Sequence, residues 1–172
     1  MAITALELIE AAQVTPAELG SKINPKGSPE QQQAAMVVWL DNNVLSLARS
    51  EVTVPLLETA GSTSWSTFID TRFPQVPDAA RTQWKAEGEE LFDAAHLSYS
   101  RSEYNKQVKS SSDEYDKDSD QDRIQGNQRL AKLLSLATTL IKTGGQPGVM
   151  PPTPATEAEQ SGSVSVRVRR RY

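Results

Sequence analysis

The only histidine in the chain is the first place to look for chemistry. Glu89, Asp93 and His96 follow one another at spacings of four and three residues, which puts their side chains on one side of a helix. Two carboxylates and an imidazole could bind a metal ion weakly or carry out acid–base catalysis. The same spacing is also typical of an ordinary polar helix face, which is the interpretation that we favour. We therefore predict no catalytic residue, no metal ligand and no cofactor.

A run of alternating aspartates is the second candidate for metal binding. Calcium loops place oxygen ligands at alternate positions, then need a glycine for the turn and a closing glutamate. Gln121 and Asn127 stand where these two residues are required. We therefore interpret the run as the solvated acidic start of a helix, where acids interact favourably with the helix dipole. The aspartates are Asp116, Asp118, Asp120 and Asp122.

The last ten residues predict a function more clearly than any other segment. Residues 163–169 alternate between valine on one face and serine or arginine on the other, as in a β-strand. A lone strand is not stable in water, so we expect this arm to join a sheet edge in another polypeptide chain. The valines and ladder hydrogen bonds would anchor it, and the arginines would pair with an acidic surface. The residues expected to bind the partner are Val164, Val166, Arg167, Val168, Arg169, Arg170, Arg171 and Tyr172.

Composition limits the size of the folded part. A chain of 172 residues is long enough for one domain with a core, but only 37% of its residues are hydrophobic, so part of the length must lie outside that core. The absence of cysteine excludes disulfides and thiolate metal sites. No secretory signal or stretch of about 20 apolar residues is visible, so we predict assembly in the cytoplasm and no membrane segment.

Charge is distributed unevenly along the chain. The last twelve residues contain four arginines and no acid, whereas the other 160 contain 14 basic and 22 acidic residues. The body thus carries −8 and the tip +4, in agreement with the total of −4. An acidic body disfavours general nucleic-acid binding, and a basic tip is suited to docking on an acidic surface.

The first half of the chain predicts helices that begin with capping boxes. In three segments a Ser or Thr stands three residues before a Glu or Gln, and proline occupies the first turn of two of them. Val52 and Val54 then alternate like a short strand, which Pro55 limits to a sheet edge or an extended connection. The predicted helices cover residues 3–13, 16–23 and 29–50, and the third has an apolar stripe at Met36, Leu40, Val44 and Leu47.

The second half predicts two long helices that pack against each other. After a loop at 62–66, a short piece with Trp65, Phe68 and Ile69 should cover the first long helix, 76–108. Gly88 in the middle of that helix is tolerable if another backbone packs closely there. The second helix begins near Ser119, which makes a capping signal with Asp122 at the end of the polar segment 110–122, and it ends at residues 144–145. The two apolar stripes comprise Val76, Ala80, Trp84, Leu91, Phe92, Ala95 and Tyr99, and Ile124, Leu130, Leu133, Leu134, Ala137, Leu140 and Ile141.

These elements predict a mainly α fold. Residues 1–143 form a small helical bundle with a long antiparallel helix pair. Residues 144–162 form an extended linker rich in proline and glycine. Residues 163–172 form the basic β-strand arm.

The order of the first three helices also resembles that of helix-turn-helix DNA-binding domains, such as terminase small subunits or regulators. The would-be recognition helix begins Pro-Glu-Gln-Gln-Gln at 29–33 and has no Lys or Arg before Arg49. Phosphate contacts dominate DNA affinity, so this segment can supply little of it, although glutamines can read adenine edges. We keep DNA binding as the alternative to a helical packing unit.

The sequence Val-Pro-Asp-Ala-Ala-Arg at 76–81, which opens a long helix ahead of an antiparallel partner, is similar to the start of a central helix in the head–tail connector (adaptor) proteins of tailed bacteriophages. The helical body, linker and terminal strand resemble that family in architecture. The resemblance implies a virion protein, assembled in the host cytoplasm, that forms a ring of identical subunits between portal and tail. It implies arms that reach neighbouring subunits or the portal. It also implies that DNA passes through without sequence-specific binding, which an acidic body favours because like charges repel.

Overall fold

The computed structural model describes residues 3–11, 16–108 and 113–145, and within these ranges it is helical with no β-strand. A π-helical segment, Asp41–Leu45, joins α3 to α4 without a break and is called the π segment below. The mainly helical fold class predicted from the sequence is therefore confirmed for this part of the chain. The helices are α1 (Ala5–Ala11), α2 (Pro16–Ile23), α3 (Pro29–Leu40), α4 (Ser46–Ala60), α5 (Trp65–Arg72), α6 (Asp78–Val108) and α7 (Asp113–Thr143).

The long helices α6 and α7 pack side by side and run antiparallel, as predicted. The Tyr99 hydroxyl donates to Asn127 Oδ1 at 2.7 Å, whereas Ser102, further along α6, lies beside Ser119, nearer the start of α7. The interface is apolar towards the start of α6 and polar towards its end. Ser119 is buried inside α7 rather than capping its start, because the helix begins two turns earlier than the sequence predicted.

The large core lies between α4, α5, α6 and α7. It includes most of both predicted apolar stripes, and the aromatic residues of α5 cover α6 as expected. Phe68 contacts Phe73 edge-on at 5.6 Å between ring centroids, and Phe73 contacts Trp84 in the same way at 5.9 Å. Its buried members are Ala48, Val52, Leu56, Trp65, Phe68, Ile69, Phe73, Val76, Phe92, Ala95, Tyr99, Leu133, Leu136, Ala137 and Leu140.

A small core joins α1, α2, α3 and the π segment to the far half of α6. Two of the predicted capping boxes form: the Thr4 backbone N–H donates to Glu7 at 2.7 Å, and that of Ser28 donates to Gln31 at 2.9 Å. The third, at Thr15, lies outside the described residues. The buried members of this core are Ala5, Leu8, Leu19, Met36, Leu40, Val44, Leu45 and Tyr104.

The predicted strand at Val52 and Val54 is wrong. These residues lie in α4, which continues through Pro55 to Ala60. Proline removes one backbone hydrogen bond from the helix, but the burial of Val52 in the large core holds the segment helical. The predicted third helix therefore does not end at residue 50. It continues through the π segment and α4.

The end of α7 is fixed by two glycines, as predicted. Gly144 and Gly145 have φ values of +62° and +69°, and their N–H groups donate to Ile141 and Leu140, the pattern that closes a helix with left-handed residues. A Cβ on Gly145 would lie 2.8 Å from the Phe73 ring, so the chain leaves the body beside the start of α6. Of the described helices, none combines the length and apolar character needed to cross a membrane.

Candidate functional site: a cleft between α4, α5 and α6

A cleft of about 200 Å³ opens where α4, the loop before α5 and α6 meet. It brings together two of the three residues singled out by the 89–93–96 spacing, because Glu89 and Asp93 project into it from α6. Arg49 lines it from α4. The remaining lining residues are Thr63, Ser64, Trp65, Ser66 and Phe92.

Trp65 forms a rigid aromatic wall of this cleft. Its indole Nε1–H donates to the backbone oxygen of Trp84 at 2.7 Å, and the ring lies directly on Gly88. A Cβ at residue 88 would come within 1.9 Å of the ring. The sequence predicted that Gly88 admits another backbone, but the neighbour is this indole side chain. Ser64 fixes the start of α5 by accepting from the Thr67 N–H at 3.3 Å.

Two of the three charged groups of the cleft, Arg49 and Glu89, are not paired with each other. Arg49 and Glu89 make no side-chain hydrogen bond or ion pair with the described residues. Glu89 and Asp93 are half-buried, whereas Arg49 is exposed. The cleft therefore has one cationic and two anionic side chains around an aromatic surface.

His96 does not belong to this cleft, which corrects the expectation of a polar helix face. It is 1% exposed, and its Nε2–H donates to the backbone oxygen of Leu45 at 3.1 Å. Nδ1 is then the unprotonated nitrogen, and it has no hydrogen-bond partner among the described residues. Burial lowers the pKa of His96, and Arg49 lowers it further, while the hydrogen bond to Leu45 and the charge of Asp93 raise it. His96 is therefore a neutral residue whose structural role is to donate a hydrogen bond to the Leu45 oxygen.

His96 is one of three side-chain donors that hold the π segment. The Asn43 amide donates to the Trp39 oxygen at 2.9 Å, and the Gln107 amide donates to the Asn43 oxygen at 2.8 Å. A π turn alters the helical hydrogen-bond pattern locally, and such turns are frequent at functional sites. Here the donors from α6 bind the π segment to the long helix, so the segment joins the two cores rigidly.

The aspartate run lies within the described residues, whereas the arm does not. The run lies within α7, so its backbone is helical and does not form a calcium loop. Asp122 is buried beside Arg101, with 3.5 Å between Oδ2 and Nε. Within the described residues, no three His, Asp or Glu side chains could hold a metal ion together. The eight arm residues expected to bind a partner lie outside the described ranges, as does the linker from residue 146.

The α2–α3 pair packs closely, as a helix-turn-helix requires. A Cβ on Gly20 would lie 3.0 Å from the Gln32 backbone oxygen, so α2 crosses directly over α3. The outward side of α3 carries an acid, amides and small apolar groups, with Glu30, Gln33, Ala34 and Val38 all exposed. It lacks the basic residues that would hold a phosphate backbone.

Comparison with known protein families, curated proteins and solved structures gave no match to this chain. Its function must be inferred from the residues themselves.

Proposed function

We propose that this chain is a structural assembly protein, a ring-forming head–tail connector of a tailed-phage virion. Its residues 163–172 would add as a β-strand to a sheet in another polypeptide chain. The ring, portal and tail partners follow from the resemblance in architecture, and strand addition follows from the valine alternation.

One observation supports the arm most directly. The described part of the chain, 3–11, 16–108 and 113–145, contains no strand. It offers no sheet edge with which residues 163–169 could pair. A strand needs backbone partners, so they would come from another polypeptide or from the arms of further copies.

Truncation after Gly145 tests this function. The shortened chain retains every residue of both cores, so its circular dichroism should match that of the full chain. Its mass in sedimentation should fall to that of a monomer, whereas the full chain forms a ring. Equal assembled masses for the two chains would overturn the proposal.

Two arm variants distinguish strand addition from nonspecific association of the arm. Val166→Pro removes a backbone N–H from the centre of the arm and should abolish assembly. Ser163→Thr with Ser165→Thr alters the opposite face and keeps the backbone donors, so assembly should persist. Assembly by the proline variant would show that the arm does not act as a strand.

DNA binding is the second candidate, favoured by the close α2–α3 packing at Gly20. It predicts that the full chain is retained on duplex DNA at low salt and released as salt rises. Gln33→Ala, on the exposed side of α3, would then weaken retention, and Gln83→Ala on exposed α6 would not. A chain that passes through a low-salt DNA column unretained excludes this candidate.

A further inference from the structure

The cleft between α4, α5 and α6 has the groups that recognise a cation on an apolar stem. Glu89 and Asp93 stand one turn apart on α6 and are both half-buried. The carboxylate of Glu89 has no hydrogen bond or ion pair with the described residues. A half-buried carboxylate interacts more strongly with a cation than an exposed one, because it is less screened by water.

The walls add apolar surface for the stem of the same kind of group. Trp65 and Phe92 both line the cleft but are only 2% and 9% exposed, and Trp65 is fixed by its bond to Trp84. A guanidinium pairs with carboxylates through several N–H donors. The two acids of the cleft therefore favour arginine over an uncharged side chain.

The size of the cleft fits a single side chain. Its volume of about 200 Å³ is space for one long side chain. Arg49 also lines the cleft and makes no hydrogen bond or ion pair with the described residues, so its N–H groups can donate to main-chain carbonyls beside that side chain.

We propose that this cleft receives an arginine side chain of residues 167–171 from a second copy of the chain. The inference rests on the proposed function, in which the arm acts between polypeptides, and it names the receiving surface. Four arginines stand in a tip without acids, and the cleft carries two acids to one base. In a strand, Arg167, Arg169 and Arg171 would lie on the face opposite the valines and Arg170 on the valine face, so three arginines stay available when the valine face pairs elsewhere.

The linker is long enough for such an exchange. Gly145 is held against Phe73, and 21 residues separate it from Arg167. An extended chain covers about 3.3 Å per residue, so these residues reach up to about 70 Å. This exceeds the length of α6, whose 31 residues span about 46 Å.

Complementary variants of the full chain test the exchange. The first variant has an altered cleft, Glu89→Gln with Asp93→Asn, and an intact arm. The second has an intact cleft and an arm in which Arg167, Arg169, Arg170 and Arg171 are all replaced by Gln. A matched control, Glu87→Gln with Glu90→Gln, removes the same charge from exposed positions of α6.

The expected result is that each variant alone assembles at least about tenfold more weakly than the natural chain, as for the loss of one partner of a buried charge pair. The control should assemble normally. An equimolar mixture of the two variants should form dimers but no rings, because only one of its contacts is intact. Sedimentation velocity measures these masses, and circular dichroism checks that each variant folds.

Three outcomes would overturn the cleft proposal. If the cleft variant assembles like the control while the arm variant does not, the arm binds elsewhere and the proposed function stands. If both variants assemble normally and truncation after Gly145 is also harmless, the proposed function fails as well. If the mixture stays monomeric while the natural chain assembles, the arginines do not enter the cleft of another copy.

Discussion

At the scale of single residues, the Trp65–Gly88 contact determines the shape of the cleft. Glycine weakens a helix by about 1 kcal/mol relative to alanine, so its place in the middle of α6 needs a reason. The reason is the indole, which occupies the space of a Cβ and is held by the Trp84 carbonyl. The absence of a Cβ at residue 88 therefore allows the Trp65 ring to lie directly on α6.

Gly88→Ala should destabilise the protein by about 1–3 kcal/mol, because the added Cβ must displace the Trp65 ring and break its hydrogen bond. At an exposed helical position the same change would stabilise by about 1 kcal/mol. Urea denaturation measures the difference. The control is Ala86→Gly, exposed on the same helix, which should cost about 1 kcal/mol and leave tryptophan fluorescence unchanged. A stabilised Gly88→Ala protein would contradict the observed contact.

His96 gives the fold a pH dependence whose sign follows from burial. Its pKa in the folded state is lowered, mainly by burial. The unfolded chain therefore binds more protons than the folded protein once the pH falls below about 6.5. The contribution of the neutral ring is complete above that pH and is lost as pH falls through the folded pKa. Protonation would also put an N–H on Nδ1, where none of the described residues accepts a hydrogen bond.

We expect the free energy of unfolding to fall as pH decreases from about 6.5 to about 5.5, a range in which unperturbed carboxylates remain ionised. His96→Gln can keep a donor towards the Leu45 oxygen but has no proton to gain, so its unfolding free energy should be flat over that range. Guanidinium denaturation of both proteins at each pH provides the comparison. Parallel decreases in the two proteins would assign the effect to another group.

At the scale of elements, the π segment allows one continuous helix to supply buried residues to both cores. The buried residues of α3, the π segment and α4 recur every four residues, whereas an α-helix turns once in 3.6. Each interval therefore drifts by about 40°, and five of them by about 200°. An extra residue in the π segment turns the helix back by about 100°. The repeating residues are Met36, Leu40, Val44, Ala48, Val52 and Leu56.

Deleting Asn42 should therefore be tolerated far better than inserting a residue beside it. Without the extra residue the π turn becomes α-helical, and Val52 and Leu56 keep their orientation towards the large core, because the 19 remaining α-helical steps from Met36 to Leu56 give the same net angle of about 100°. An alanine inserted after Asn42 instead turns Val52 and Leu56 by about 100° away from that core, and loss of several buried side chains costs about 5 kcal/mol or more. Asn42→Ala leaves the register intact at an exposed site and should change stability by less than about 0.5 kcal/mol. Thermal unfolding of the three variants distinguishes the effect of register from that of the side chain.

The same region shows what the sequence could and could not predict. Ser28 and the residues around Gly144 act locally, so their capping roles were predictable from neighbouring residues. Leu47 was expected in the buried stripe at a spacing of three, but it is 50% exposed and Ala48 is buried instead. A strict four-residue spacing was the available signal for the π segment. Pro55 was misread because tertiary burial of its neighbours outweighs its helix-breaking tendency.

At the scale of the whole molecule, the cleft could be predicted only in part. The spacing of Glu89 and Asp93 on one helix placed them together, as the structure does. Arg49 and Trp65 come from other helices, and no local pattern links them to α6. His96 shares the spacing of the two acids but faces the π segment, because a buried carbonyl there requires a donor. Side-chain sets formed by packing between distant segments leave no periodic signal.

The division between an acidic helical body and a basic arm predicts how assembly should respond to salt. Raising the ionic strength from about 0.1 M to about 1 M shortens the Debye length from roughly 10 Å to roughly 3 Å, which weakens pairing between arginines and acids. Apolar burial and strand pairing are not screened in this way. The dissociation constant of the proposed ring should therefore increase with salt.

Two single substitutions in the arm separate these contributions. Arg169→Gln should weaken assembly at low salt and reduce the slope of the dissociation constant against salt, because it removes one charge. Val166→Ser should weaken assembly by a similar factor at every salt concentration, because it removes apolar area and no charge. Light scattering over a dilution series at each salt concentration yields both slopes. If assembly of the natural chain tightens with salt, the acidic body does not hold the arm by its charge.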